Sequence, residues 1–354
     1  MTSIDQAQDI REGERIDAAA LTAYCREHAP DLVPASGDIE IRQFPGGASN
    51  LTYLLKVDGD EYVLRRPPFG SQVKSAHDMG REYNVLSRLH GVYDYAPKPI
   101  VHCTDESVIG AEFYVMARLR GVILRRDLPE GVSLAPADAT RLCEQLIDVQ
   151  ASLHTTDIEA AGMADFGKPE GYIERQIKGW NKRFTNARTD DVPGCQAIMD
   201  WLSARMPDIT RAAIIHNDYK LDNVVLDENL ERIIGVLDWE MATLGDPVMD
   251  FGCSMAYWVQ ADDPQALRDI RMGPTHLPGM LTRDEMLARY QQATGQTIDD
   301  WPFYQVFGLF RLAAILQQIY KRYTEGKTQD KRFKQFGASV GVLADQCDRV
   351  IRAA

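Results

Sequence analysis

The sequence predicts an α+β protein in which a small β-rich lobe precedes a larger helical one. Three observations carry this. From Ile39 the chain breaks into short strand-like pieces separated by turn residues, beyond Gly121 it becomes amphipathic at helical spacing, and one polar stretch interrupts the helical half. On these grounds residues 1–37 form an N-terminal extension with a helix, 38–118 a sheet-based lobe and 119–354 a helical lobe.

Taken in order, a polar lead-in precedes a helix near 17–28 ("DAAALTAYCREHA"). "IEIRQFP", "NLTYLLKV" and "EYVLRRP" are strands, separated by "GGAS" and "DGDE", which supply the turn chemistry of an antiparallel meander. Residues 74–90 place Met79, Tyr83, Leu86 and Leu89 on one helical face. "PKPIVHCTD" and "EFYVMARL" resume the strand pattern. Leu142, Leu146, Val149 and Leu153 then form one face of a helix, and weaker helices follow near 172–185 and 195–206. Thr282 and Glu285 make a capping box for a helix that Gly295 ends. Long helices over 304–323 and about 334–352 complete the chain.

The 354 residues are ample for two cores, and 45% hydrophobic with 26% charged content is ordinary for a globular protein. No run of eighteen apolar residues is present, and "MTSIDQAQDIREGERID" lacks the apolar core of a secretory signal. The six cysteines are scattered without a CxxC pair, which predicts reduced thiols and a cytoplasmic protein. A net charge of −13 argues against general nucleic-acid binding, and no membrane partner is expected.

The polar stretch is "IIHNDYKLDNVVLD", 214–227. It contains His216-x-Asp218-x-x-x-x-Asn223, and a second strand, "RIIGVLD", returns Asp238 to the same end of the hairpin. A carboxamide oxygen and a carboxylate there can share a hard cation such as Mg²⁺. Asp218 is then left to accept a hydroxyl proton. Metal to neutralise phosphates and a base to orient a nucleophile are the equipment of phosphoryl transfer.

On "HNDYKLDN" and "VLDWEMATLGDPVMDFG" the chain resembles the aminoglycoside phosphotransferase family of small-molecule kinases, within the protein-kinase-like fold. The likeness runs from about residue 38 to 325. "FPGGASNLTYLL", "LRRPP", "REYNVL", "LPGMLTRDEMLARY" and "FRLAAILQQIYKRY" resemble the branch found beside, or fused to, acyl-CoA dehydrogenases. The resemblance implies ATP and Mg²⁺ as cofactors. It implies Asp218 as the catalytic base and Asn223 and Asp238 as metal ligands. It places Gly46, Gly47, Ser49 and Asn50 over the phosphates and pairs a phosphate-binding Arg65 with Glu82. It gives the adenine a hinge over 115–119, with Met116 and Arg118. Three features depart from the kinase pattern: arginine stands for the phosphate-binding lysine, at 65 or 66, the glycine loop lacks a full GxGxxG, and "DWE" replaces "DFG".

The expected partner is a small hydroxylated molecule, with a functional link to an acyl-CoA dehydrogenase, and the protein is expected to be a monomer or homodimer. Arg311, Lys321 and Arg322 on one helix tilt the acceptor towards an anionic or acyl-CoA type and away from a polycationic aminoglycoside. His216 and Asp250 are read as orienting the loop, and Lys220 is divided between phosphate contact and solvent. The rival readings are a catalytically silent nucleotide-binding regulatory protein of the same fold and a true aminoglycoside phosphotransferase.

Overall fold

A computed structural model describes residues 6–45, 50–69, 78–209 and 211–354. In chain order the elements are α1 (Ala18–His28), β1 (Glu40–Gln43), β2 (Leu51–Val57), β3 (Asp60–Arg66), α2 (Met79–Leu89), β4 (Pro99–Cys103) and β5 (Phe113–Ala117). They continue with α3 (Pro136–His154), α4 (Tyr172–Ala187), α5 (Gln196–Ala204), β6 (Ala213–Ile215), β7 (Val224–Leu226), β8 (Ile233–Val236) and β9 (Thr243–Gly245). The last are α6 (Pro247–Met255), α7 (Gln265–Asp269), α8 (Arg283–Thr294), α9 (Trp301–Thr324) and α10 (Phe336–Ala353). Two compact units result. One comprises Met1–Ile123, Glu130–Val132 and Asn223–Ala242, the other Leu124–Pro129, Ser133–Asp222 and Thr243–Ala354.

In the first unit the sheet order is β1-β2-β3-β5-β4, antiparallel throughout. The first three strands form the expected meander, whereas β5 inserts beside β3 and leaves β4 at the edge. Alternation along the strands sends Tyr53, Leu55, Leu64 and Val115 into a core shared with Leu21 and Cys25 of α1. The opposite face carries Arg65, which pairs in register with Thr52 and Tyr114. Asp78 caps α2 by accepting from the Arg81 N–H at 2.8 Å.

The β7–β8 hairpin lies deep in the helical half of the sequence, yet it clusters with this sheet-bearing unit. Its Leu226 exchanges two backbone hydrogen bonds with Val122, at 2.8 and 2.9 Å. Gly121 permits that approach: a Cβ there would lie 1.9 Å from the Leu226 carbonyl oxygen.

The second unit is built around α9, whose Phe303, Phe307, Phe310 and Ala314 are buried. It meets α6 where two glycines face each other, since a Cβ on Gly308 would lie 2.1 Å from the Gly252 oxygen. The Thr282–Glu285 capping box and the left-handed Gly295 close α8 as the sequence predicts. α6 is not foreseen by periodicity, although Asp246 at its N-cap followed by Pro247 is a helix-start signal. β6 pairs with β9, so the polar loop leaves one two-stranded sheet and enters another.

Candidate active site

The contacts of the two side chains settle which arginine faces the hairpin residues. Arg66 lies on the other face, where it donates to the Ile109 carbonyl at 2.8 Å and sits 3.8 Å from the Phe69 ring centroid. Arg65 is buried and its Nη1 donates to Glu82 of α2. Its Nη2 donates to Asp238 Oδ1 at 3.1 Å and lies 3.9 Å from Glu240 Oε2. Three carboxylates therefore surround one guanidinium. Burial alone would lower Arg65, but Glu82, Asp238 and Glu240 hold it well above its ordinary value. Glu82 moves up, because burial outweighs the attraction of Arg65 and Asp238 adds to the effect.

Leu237 N–H donates to the Asn223 carbonyl at 2.8 Å, so the hairpin brings Asn223 and Asp238 to one end. Asp238 has φ of 67° and opens a single 3₁₀ turn, Trp239–Met241. That turn is pinned by Trp239 N–H donating to Glu82 at 3.2 Å and by the Trp239 indole donating to the Val236 carbonyl at 2.8 Å. Asn50, a predicted phosphate contact, donates to Glu240 Oε2 at 3.0 Å. Asn223, Asp238 and Glu240 offer only oxygen donors, and the carboxylates around Arg65 outnumber its charge. Both properties fit a hard divalent cation such as Mg²⁺.

Asp218 belongs to the second unit, on a loop held from beneath. Asp250 of α6 accepts the His216 N–H at 3.2 Å on Oδ2 and the Asn217 N–H at 2.8 Å on Oδ1. His154 Nε2 lies 3.0 Å from the same Oδ2, and its Nδ1 lies 2.7 Å from the Tyr290 hydroxyl. Burial would raise Asp250, yet these partners hold its carboxyl below the ordinary range. Asn217 is left-handed, with φ of 65°. Its side-chain oxygen accepts from Tyr172 at 3.1 Å and its carbonyl from Arg311 at 2.6 Å. His216 is fully buried, and its Nδ1 accepts the Asp218 N–H at 3.2 Å. His216 and Asp250 thus orient the loop as the sequence suggests.

Lys220 Nζ lies 2.5 Å from Asp218 Oδ2, 3.8 Å from Asp222 Oδ1 and 5.3 Å from the centre of the Tyr257 ring. Burial opposes its charge, but Tyr257, Asp218 and Asp222 together raise the ammonium above its usual range. Burial pushes Tyr257 up to about 12. A pocket opens beside Lys220 and Asp222, with Leu146, Ile147, Met255 and Trp258 in its wall.

Of the remaining predicted residues, Gly46, Gly47 and Ser49 lie outside the described residues. Met116 is buried on β5, and Arg118 donates to Glu61 Oε2 at 2.6 Å. The basic helix does not serve as expected. Arg311 is buried and braces the Asn217 carbonyl, and Lys321 donates to the Asn186 carbonyl at 2.7 Å. Its neighbours in sequence carried the signal: Phe307, Gly308, Ala314 and Ile315, three and four residues away, place Arg311 on the apolar face of α9. Sequence reading also missed the part played by Asn217, although it lies inside the quoted loop, and by His154, which carries no motif.

The profile of a family described as "Phosphotransferase enzyme family" matches residues 40–307. A Ralstonia eutropha JMP134 protein of solved structure, assigned to the aminoglycoside phosphotransferases, is 35% identical with a TM-score of 0.82, covering 96% of this chain and 99% of that one. Acyl-CoA dehydrogenase family member 10 of Mus musculus is 33% identical over 313 residues, covering 88% of this chain but only 29% of the mouse protein. The chain thus spans less than a third of that relative's length. Choline kinase of Cryptosporidium parvum shares the fold at 12% identity, with a TM-score of 0.61 over 94% of this chain and 96% of its own. The architecture is the α+β, protein-kinase-like one that the sequence predicts.

Proposed function

The chain belongs to the phosphotransferase enzyme family, and from that premise we propose that it is a small-molecule kinase that moves the γ-phosphoryl group of ATP to a hydroxyl of its acceptor. The observation that carries this reading is the carboxylate-rich cluster around Arg65, with Asn223 and Asp238 at one end of a hairpin.

In this reading Asn223 and Asp238 hold Mg²⁺, which supplies neutralisation of the phosphate oxygens. Arg65, kept charged by its carboxylates, binds phosphate with a planar fork, and Glu82 fixes where that fork points. Gly46, Gly47, Ser49 and Asn50 cover the phosphates, and the backbone around Met116 and Arg118 receives the adenine. Asp218 takes the proton of the acceptor hydroxyl. Lys220 holds one of its carboxylate oxygens, and Asp250 with Arg311 fixes the backbone one residue earlier. The base is therefore oriented before the acceptor arrives, which is where such catalysis gains its rate.

The acceptor is proposed to be a hydroxylated molecule with an apolar body, such as a hydroxyacyl compound. The cavity beside Lys220 has a volume of about 20 Å³, room for about one water, so it is the character of its wall that supports this: the wall is mostly hydrocarbon, and Asp222 is the one carboxylate among its described lining residues. A polycationic aminoglycoside would call for several. A functional link to acyl-CoA dehydrogenases is part of the same proposal.

Thermal stabilisation by ATP, with and without Mg²⁺, tests the nucleotide half. Asparagine tolerates the left-handed backbone at 238, so Asp238→Asn removes charge without straining the turn. The wild type should be stabilised in a magnesium-dependent manner that the variant loses. Transfer of labelled phosphate to hydroxyacyl compounds, but not to aminoglycosides, tests the acceptor half. Nucleotide binding without transfer to any hydroxylated acceptor would instead favour a regulatory protein.

A further inference from the structure

The sheet face that carries Arg65 does not end there. Register places Arg42 of β1 opposite Leu54 of β2, and Lys56 of β2 opposite Glu61 of β3. The chain leaving β5 adds Arg118, whose N–H lies 3.4 Å from the Glu61 carbonyl, and then Arg120. These side chains line a pocket of about 290 Å³ with Gln6, Ala7 and Leu54. Among the described residues, four cations thus share a concavity with one carboxylate, on a chain whose net charge is −13.

Glu61 is shared, at 2.6 Å from Arg118 and 3.9 Å from Lys56. Among the described residues, the other carboxylates in reach stand outside the pocket in solvent. Glu40 and Asp9 lie 3.2 and 4.0 Å from Arg42, and Glu228 lies 3.2 Å from Arg120. Such exposed pairs contribute little, and like charges gathered over one hollow repel. An anion in the hollow would reverse that balance, and two or more guanidinium forks favour phosphate oxygens. The volume is enough to admit a short oligophosphate.

We propose that this end of the sheet is an anion site, separate from Arg65, that takes the phosphate groups of a small multiply charged ligand. The inference does not depend on the kinase reading. Arg118 belongs to the segment assigned to the adenine, so the test leaves it intact and uses Arg42→Gln with Lys56→Gln.

Calorimetric titration with inorganic tripolyphosphate in magnesium-free buffer should show saturable binding that weakens steeply with added salt. The double variant should lose about tenfold or more in affinity, as expected for two charge-assisted contacts. A control pair on α4, Lys178→Gln with Arg183→Gln, removes the same charge elsewhere and should stay within about twofold of wild type. Absence of binding to the wild type would overturn the proposal. So would unchanged affinity in the double variant, which would move the anion elsewhere, Arg65 included. Equal losses in both pairs would reduce the effect to bulk charge and overturn it as well.

Discussion

Asp250 and Glu82 are both buried carboxylates, one in each compact unit, and their proton affinities move in opposite directions. Asp250 has both oxygens engaged, by two backbone N–H groups and His154. Glu82 takes Arg65 and the Trp239 N–H on Oε1, while among the described residues its Oε2 has no hydrogen bond of ordinary length, with the buried Tyr114 hydroxyl as its neighbour. Burial costs both of them, and the number of satisfied lone pairs decides which one recovers the cost. The difference sorts their work. Asp250 locks a backbone in one conformation, whereas Glu82 belongs to a set of carboxylates still able to accept positive charge.

The largest effect should come from the residue that the Asp250 anchor presents. Asp218→Asn should lower turnover by about 10³-fold while ATP binding stays near wild type. Retained turnover, measured by phosphate transfer, would leave the anchor with nothing catalytic to hold.

Removing the anchor itself should cost stability. Asp250→Asn should lower the unfolding free energy by ~3 kcal/mol at neutral pH in urea titration, because two backbone donors and His154 lose their carboxylate. The folded carboxyl is depressed, so its contribution is fully present above the unfolded value and is lost as pH falls through the folded one. Wild-type stability should therefore drop in acid below about pH 4, with a shallower drop in the variant. Identical slopes would show that Asp250 is not an acid-sensitive anchor.

Glu82→Gln should be milder for the fold, at ~1 kcal/mol, since Arg65 keeps Asp238 and Glu240. Its effect should fall on ligand binding instead. Arg65 would draw harder on Asp238, and the dissociation constant for MgATP should rise about tenfold. A large loss of stability with unchanged MgATP affinity would make Glu82 the same kind of residue as Asp250. The smallest change expected is from Asn50→Ala, which frees Glu240 from one hydrogen bond and should raise KM for ATP by roughly fivefold, with kcat unaffected.

Much of this contrast was legible in the sequence on one side only. Asp218 and Asn223 stand in one polar stretch with Asp238 at the end of the next strand, and the family resemblance narrowed the proposed phosphate-binding residue to Arg65 or Arg66. Choosing between them required knowing which face α2 covers, because alternation fixes opposition and not direction. Asp250 was read as orienting the loop, but the rest of the anchor was harder to see. Its members, His154, Asn217, Asp250, Tyr290 and Arg311, come from five separate segments, and a contact at a separation of 96 residues leaves no local pattern. Arg311 was read as part of a basic helix facing an anionic acceptor, because charged residues are usually exposed, although its apolar neighbours argued otherwise. The hairpin's membership of the sheet-bearing unit was likewise invisible, since it depends on Gly121 allowing Val122 to reach Leu226.

The two left-handed residues, Asn217 and Asp238, set unequal limits on how this sequence can drift. At either position most side chains cost about 1–2 kcal/mol in backbone strain, which leaves glycine, asparagine and aspartate as the affordable alphabet. At 217 that alphabet has room, since glycine would satisfy the backbone and forfeit only the bond from Tyr172. At 238 it has none, because glycine deletes the oxygen donor and asparagine deletes its charge. A saturation library selected for activity should accordingly return several residues at 217 and aspartate alone at 238.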